Sequence, residues 1–142
     1  MVMKDALREI PFLTFCADED LDILLSKSCH KSVYRTGESV VVHDTQCHSL
    51  LLLTSGSVRC EKRNAEDQAD VVADFKAPLA LMPELLFATR GRYMFDVVAN
   101  EGSEVWHIDR ENFFGFMQTH PSVLRIFLQT ISDKSVNNTK TN

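Results

Sequence analysis

The spacing of hydrophobic positions divides the chain into a helical start, a long β region and a helical end. After a short helix expected over residues 4–9, Leu21, Leu24 and Leu25 recur at helical spacing and predict an amphipathic helix that ends near Ser28. Three consecutive acidic residues stand just before these leucines. Because negative charge stabilises the first turn of a helix, they support a helix start at that point.

The middle of the chain, residues 31–108, has the pattern of antiparallel β-structure. Short runs of valine and leucine alternate with turn residues, and β-branched side chains favour pleated, half-buried surfaces. Gly37 and Gly56 lie between such runs and supply the positive φ angles that tight turns need. The pattern predicts strands near residues 32–35, 39–42, 49–53, 57–62, 70–75, 94–99 and 103–108.

Residues 77–92 interrupt this β pattern. The segment contains Pro78, Pro83 and a leucine-rich run, followed by a stretch with two arginines and a glycine. An apolar segment that is flanked by prolines inside a β region often forms a short helix. We expect a short helix here that lines a cavity.

The C-terminal part is predicted to be helical. A short helix is expected after Asp109, a suitable N-cap, and a long one from Pro121 to about Val136. The long helix is apolar on more than one face, so it is expected to contact both its own domain and a partner. Leu124, Leu128 and Ile131 are predicted to pack on the β region with Phe127. The partner contact, a homodimer interface, is assigned to Val123, Ile126, Phe127 and Thr130.

Composition limits the functional classes. The chain has 142 residues, which is the size of one domain. Its net charge of −5 disfavours direct binding to nucleic acid. The longest apolar run is far shorter than the roughly 20 residues that cross a bilayer, and no secretory signal precedes it. A cytoplasmic protein without membrane contact is expected. The four cysteines form no C-x-x-C pair and are expected to be buried, reduced thiols.

No enzymatic motif is present in the sequence. It has no P-loop, no Rossmann glycine fingerprint and no Ser-His-Asp signature. A metal-dependent β-roll enzyme would use a His-x-His pair, and the five histidines contain none. We expect neither a catalytic residue nor a metal ligand. The histidines concerned are His30, His43, His48, His107 and His120.

The glycine positions, together with a later segment, resemble a known family. Gly37-Glu38 lies between two strands and Gly56 follows the strand at residues 49–53; Met82 to Phe87 and Arg92 to Phe95 then precede Val97-Val98-Ala99. This order resembles the cyclic-nucleotide-binding domain of Crp/Fnr-type transcription regulators. The resemblance implies a mainly β fold with flanking helices. Specifically, it implies a double-stranded β-helix (a jelly-roll or β-roll) with an N-terminal helix, over residues 1–120, and a C-terminal dimerisation helix with a polar tail, over 121–142.

Residues 82–95, here called the ligand cassette, carry the implied site. Glu84 matches the glutamate that holds the ribose hydroxyl in this family. The family's preceding glycine is Pro83 here, and its phosphate-pairing arginine falls at Tyr93, one residue after Arg92. Proline has no N–H to offer a phosphate, so standard cyclic AMP is not the expected ligand. The predicted ligand-binding residues are Glu84, Leu85, Leu86, Thr89, Arg90, Arg92 and Tyr93.

The resemblance implies the effector-sensing and dimerisation part of a transcription regulator. DNA would be contacted only through a helix-turn-helix domain that this chain does not include. The expected partners are an unidentified small-molecule effector and a second copy of the chain. The sequence names no cofactor, and two alternatives stay open: a haem or redox sensor, and a ligand-free dimerising scaffold.

Overall fold

The computed structural model describes residues 3–26 and 29–140. Its helices are α1 (Met3–Arg8), α2 (Asp18–Ser26), α3 (Arg110–Thr119) and α4 (Pro121–Lys140), with 3₁₀ turns at Pro11–Leu13 and Pro83–Leu85. The predicted end of the second helix, Ser28, lies outside the described residues. Helix α4 extends beyond the predicted end at Val136, so most of the predicted polar tail is helical.

Within the described residues, eight antiparallel strands form two four-stranded sheets, which confirms the predicted fold class. The strand orders are β1-β8-β3-β6 and β2-β7-β4-β5. The strands are β1 (Cys29–Tyr34), β2 (Ser39–Val41), β3 (Ser49–Ser55), β4 (Ser57–Arg63), β5 (Ala69–Lys76), β6 (Leu79–Leu81), β7 (Asp96–Ala99) and β8 (Ser103–Asp109).

Strand β1 begins at Cys29, three residues earlier than expected, and two further details of the strand prediction are wrong. Strand β6 falls in the segment that was expected to contain no strand, because its three residues are too few to show alternation and pair only with Leu51–Leu53 of β3. Strand β7 begins at Asp96, two residues later than expected. The differences at β6 and β7 lie beside the ligand cassette, where pairing with distant strands decides the local conformation.

The core lies between the sheets and beneath the helices. Strand β3 buries four consecutive leucines, Leu50 to Leu53, because α1 and α3 pack against the strand while its other face points between the sheets. Beneath α4, the ring of Phe127 meets Phe12 at 5.2 Å and Phe113 at 5.3 Å between centroids. This cluster fixes the start of α4 on the domain.

The buried face of α4 differs from the predicted one. Val123 and Phe127, both predicted at a dimer interface, are buried within their own domain. Leu128, predicted to pack on the β-roll, is 50 % exposed, and that prediction is wrong. The reason is geometric: the face is centred between Val123 and Phe127, and Leu128 lies one further residue, about 100°, around the helix. Ile126 and Thr130 remain half-buried on the opposite flank.

The ligand cassette is held close to the roll. Met82 adopts a left-handed backbone (φ 44°) just before the Pro83–Leu85 turn. Gly91 is buried against this turn, and a Cβ atom at position 91 would overlap the carbonyl oxygen of Leu85. Glycine is therefore required at position 91 for the turn to take this place.

Candidate ligand-binding cavity

A cavity of about 440 Å³ is bounded by strands β4 and β5, the ligand cassette and helix α4. Cys60 and Ala73 are cross-strand partners, so their side chains share one face of the sheet. The register between β4 and β5 shifts next to this pair and leaves Val72 without a cross-strand partner. That irregularity lets neighbouring residues of β5 both face the cavity. The lining residues are Cys60, Val72, Ala73, Phe75, Met82, Glu84, Leu85, Met94, Phe95 and Lys134.

The cavity wall is mainly apolar. Two phenylalanines, two methionines and four smaller apolar side chains surround a single carboxylate and a single ammonium group. Met94 is 65 % exposed and Val72 48 % exposed, so apolar surface stands open at this site. Pockets of this size and composition are typical of small-molecule sites.

Glu84 and Lys134 connect the ligand cassette with α4. Lys134 Nζ lies 3.5 Å from Glu84 Oε2, and both side chains are about one-third exposed. The Oε2 atom itself is shielded from solvent and accepts no hydrogen bond from any group that the structure describes. A buried carboxylate oxygen without a donor is unfavourable, so this atom is a ready acceptor for a bound molecule.

The predicted site residues separate into two groups. Glu84 and Leu85 line the cavity. Leu86 is fully buried in the core, while Thr89 and Arg90 are exposed on the loop that follows the 3₁₀ turn. These last three do not line the cavity.

Arg92 and Tyr93 also point away from this cavity. Arg92 is exposed and donates from Nη1 to the carbonyl oxygen of Asp44 at 2.7 Å. Tyr93 is buried, and its hydroxyl donates to the Sγ atom of Cys47 at 3.3 Å. The isolated bridge between Gln46 and Arg92 holds this part of the cassette against the β2–β3 connection. Their role in ligand binding stays a prediction.

Several lining residues were not predicted from the sequence. Phe75 and Ala73 lie on alternate positions of β5, but alternation does not distinguish a cavity wall from ordinary core. Lys134 lies 50 positions after Glu84, and no local pattern joins the two. Met82, Met94 and Phe95 flank the predicted residues closely enough that the whole cassette could have been named.

Burial keeps the side chains of Tyr93, Cys47 and His107 uncharged near neutral pH. It raises the pKa of the Tyr93 hydroxyl and of the Cys47 thiol above their usual ranges. Burial, and secondarily the neighbouring His30, lowers the pKa of His107 to about 4. His107 and Tyr93 both line a separate, shallower groove of about 280 Å³. At neutral pH, Tyr93, Cys47 and His107 therefore offer no positive charge to a bound phosphate.

Three further findings concern the cysteines, possible metal ligands and the helices of the described residues. Cys16, Cys47 and Cys60 are buried free thiols, as predicted, and the side chain of Cys29 lies outside what the structure describes. Within residues 3–26 and 29–140, no three histidine, cysteine or carboxylate side chains come together as a metal site. None of the described helices is long and apolar enough to span a membrane.

The fold is a β-roll domain with a cavity between its ligand cassette and its last helix. The model of the cyclic nucleotide-binding domain family matches residues 31–120, which is most of the chain. The chain therefore belongs to the cyclic nucleotide-binding domain family, and the resemblance inferred from the sequence is confirmed. A search of curated proteins finds no significant match to the sequence.

Solved structures of regulators share this fold. The sensor domain of the transcriptional regulator DNR from Pseudomonas aeruginosa is 15 % identical, with a TM-score of 0.81 over 96 % of this chain and 91 % of that one. A transcriptional regulator from Thermotoga maritima is 23 % identical, with a TM-score of 0.78 over 85 % and 93 % of the two chains. The catabolite activator protein of Thermus thermophilus is 21 % identical, with a TM-score of 0.76; the match covers 92 % of this chain and only 60 % of that protein.

Proposed function

We propose that the chain is the effector-sensing domain of a Crp/Fnr-type transcription regulator, and that its effector is neither cyclic AMP nor cyclic GMP. One observation carries the proposal: the cavity lies between the ligand cassette and α4, and Glu84 of the cassette pairs with Lys134 of α4. A molecule that enters the cavity meets this pair directly. Binding there therefore changes the contact between the ligand cassette and α4.

The wall of the cavity disfavours a cyclic phosphate. A phosphodiester carries a negative charge and is bound in proteins by several charge-assisted donors, above all by arginine. Here the one lysine of the wall is already paired with a carboxylate, and no arginine is among the lining residues that the structure describes. Pro83 has no N–H, and the Tyr93 hydroxyl is turned toward Cys47. A bound phosphate would lose its hydration without adequate replacement.

The proposed mechanism is a shift between two arrangements of α4. A ligand changes such an equilibrium only as far as it binds one arrangement better than the other. A ligand that binds Glu84 in place of Lys134 breaks the ion pair between them. A ligand that packs under α4 favours one position of the helix on the domain. Either interaction gives the differential affinity that signalling needs.

A homodimer and a DNA-binding segment outside this chain complete the proposed regulator. The net charge of −5 disfavours DNA contact by the chain itself. Two alternatives make different predictions. A haem sensor would show a Soret band in its absorption spectrum, and a ligand-free scaffold would tolerate a filled cavity without any response in α4.

Filling the cavity with a side chain tests the proposal. Ala73 lines the cavity on β5, whereas Ala69 is exposed at the start of the same strand. We expect Ala73→Phe to act as a permanent occupant and to change hydrogen exchange in the second half of α4, near Lys134. The control Ala69→Phe should leave that exchange unchanged. If Ala73→Phe folds and α4 exchanges as in the wild type, cavity and helix are not coupled and the scaffold alternative is favoured.

A further inference from the structure

We propose that His120 is a pH-sensitive latch, which in its doubly protonated form ties helix α2 to the junction between α3 and α4. The residue stands between Thr119, where α3 ends, and Pro121, where α4 begins. Its ring reaches α2 through Asp20. Neither His120 nor Asp20 lines the ligand cavity, so the proposal does not depend on what that cavity binds.

Both ring nitrogens of His120 face hydrogen-bond acceptors. Nε2 lies 3.0 Å from Oδ1 of Asp20, and Nδ1 lies 2.8 Å from the carbonyl oxygen of Phe116. A neutral imidazole carries one N–H group and leaves a lone pair on its other nitrogen. In either neutral form, this lone pair points at an oxygen atom, and the contact is repulsive. The imidazolium form donates a hydrogen bond at both positions.

The neighbouring hydroxyl of Thr119 does not remove this requirement. Its Oγ1 atom lies 3.0 Å from His120 Nδ1 and 3.1 Å from the carbonyl oxygen of Phe116. A hydroxyl group has one proton to donate. If that proton goes to Nδ1, no proton is left between Nδ1 and the Phe116 oxygen. If His120 donates to Phe116 instead, the hydroxyl donates to the same oxygen and all three groups are satisfied.

The surroundings of His120 favour a positive charge. The ring lies at the C-terminal end of α3, where the last carbonyl groups carry partial negative charge. It stacks on the ring of Phe116, with centroids 4.1 Å apart, and aromatic faces attract cations. The side chains of His120 and Asp20 are only 20 % and 32 % exposed, so water screens their ion pair incompletely.

Asp20 keeps its negative charge while histidine titrates. Its Oδ2 atom accepts the N–H of Ala17 at 3.0 Å, which caps the start of α2. This bond and, after it, the bond to His120 lower the pKa of the Asp20 carboxyl. Among the described residues that line the same groove, the other titratable side chain is Cys16, whose thiol stays neutral because burial raises its pKa to about 11. The lining residues from α3 and α4 carry no charge.

The latch therefore closes in acid and opens as the pH rises. Histidine side chains change charge between about pH 5 and pH 8. The fold binds the protonated form of His120 better than the neutral form, so the contact stabilises the fold at the acidic end and is lost as the proton leaves. Its loss weakens the attachment of α2 beside the groove that Phe15 and Ile126 also line. This groove thereby responds to pH.

Nitrogen-15 NMR of the histidine rings in the wild-type chain tests the protonation state. At about pH 5.5 we expect both ring nitrogens of His120 to carry protons that exchange slowly enough with water to be observed, because both protons are hydrogen-bonded. The exposed His43 is the control and should show no such protons. A neutral His120 ring at this pH, or ring protons that exchange as fast as those of His43, overturns the proposal.

A double-mutant cycle with His120→Gln and Asp20→Asn tests the link between the helices. Asparagine has no charge but keeps an oxygen for the N–H of Ala17. At about pH 5.5 the two substitutions should be coupled roughly fivefold in the equilibrium constant of unfolding, and at about pH 8 less than twofold. As the matched control, Asp22→Asn alters a carboxylate of the same helix that pairs with Lys4, and it should show no coupling to His120→Gln.

Hydrogen exchange locates the effect. At the acidic pH, the amides of α2 should exchange several-fold faster in His120→Gln than in the wild type, and at the alkaline pH the two proteins should exchange alike. Coupling that is the same at both pH values, or absent at both, overturns the latch. The NMR experiment needs no variant, so it decides the matter even if a substituted chain does not fold.

Discussion

At the scale of single residues, Tyr93 shows how one side chain changes the chemistry of the roll. It stands where the resemblance places a phosphate-pairing arginine, yet its hydroxyl reaches Cys47 in the buried interior. Arg92, the nearest cation in sequence, binds the carbonyl oxygen of Asp44 instead. The two residues point in different directions because neighbouring residues of extended backbone alternate faces.

Cyclic AMP is therefore expected to bind weakly or not at all. Calorimetric titration of the wild type should show no saturable heat at micromolar nucleotide, because the phosphate lacks its charge-assisted donors. Micromolar affinity that disappears in Arg92→Ala would show that Arg92 leaves Asp44 to bind phosphate, and would contradict this prediction. The exposed Arg63, which contacts Asp67, offers a matched control as Arg63→Ala.

His107 is expected to make the stability of the domain depend on pH. Its pKa is about 4 in the fold, mainly because of burial, against an ordinary value of 6.5. Above about pH 6.5 both the folded and unfolded chains hold it neutral, so it has no effect there. Between about pH 6.5 and pH 4 the unfolded chain takes up the proton first, so stability falls as the pH falls. The loss should be on the order of 1–3 kcal/mol, reduced by partial solvent screening.

Denaturant unfolding at about pH 7 and about pH 4.5 measures this effect. His107→Gln should lose less stability than the wild type between the two conditions. His43→Gln, at an exposed histidine, should behave like the wild type. An identical pH dependence in all three proteins would mean that His107 titrates normally in the fold.

At the scale of elements, the position of the Pro83–Leu85 turn depends on Gly91. Because a Cβ atom there would overlap the Leu85 carbonyl oxygen, Gly91→Ala must displace the backbone of the turn. We expect a loss of about 1–3 kcal/mol in the free energy of unfolding, measured with urea. Gly102→Ala, which has open space around the new methyl group, should change stability by no more than about 0.5 kcal/mol. Equal effects of the two substitutions would show that the turn moves freely.

The elements also show what the sequence could predict. Alternation and turn residues were enough for most strands, and helical spacing and cap residues for the four α-helices of the described part of the chain, because those signals are local. Strand β6 was missed, since its pairing with β3 depends on residues about 30 positions away. The cavity was predicted only at Glu84 and Leu85. Its other walls, from β4, β5 and α4, meet through tertiary packing that no local pattern records.

At the scale of the whole molecule, two apolar flanks of α4 are available to a partner. One holds Ile126 and Thr130, and Ile126 shares a groove of about 270 Å³ with Phe15, which is 79 % exposed. The other holds the half-exposed Leu128. Apolar area left in water is unfavourable by roughly 25 cal/mol per Å², so a partner on one flank is expected.

The proposed homodimer uses the flank of Ile126. Sedimentation should find the wild type dimeric at high micromolar concentration, Ile126→Glu monomeric and Leu128→Glu still dimeric. Both positions are partly open to solvent, so neither change should unfold the domain. If Leu128→Glu alone gives monomers, the dimer interface lies on the flank of Leu128. A monomeric wild type would mean that α4 forms no dimer interface in this chain.

The ring cluster around Phe127 also gives α4 a pivot. Lys134 lies seven residues beyond Phe127, or about 10 Å along the axis, and Lys140 lies thirteen residues beyond it, or about 20 Å. If the helix tilts as a rigid rod about its buried ring, a displacement at Lys134 is about doubled at Lys140. An ångström-sized adjustment at the ion pair with Glu84 is thereby enlarged, by leverage alone, at the end of the rod that is farthest from Phe127.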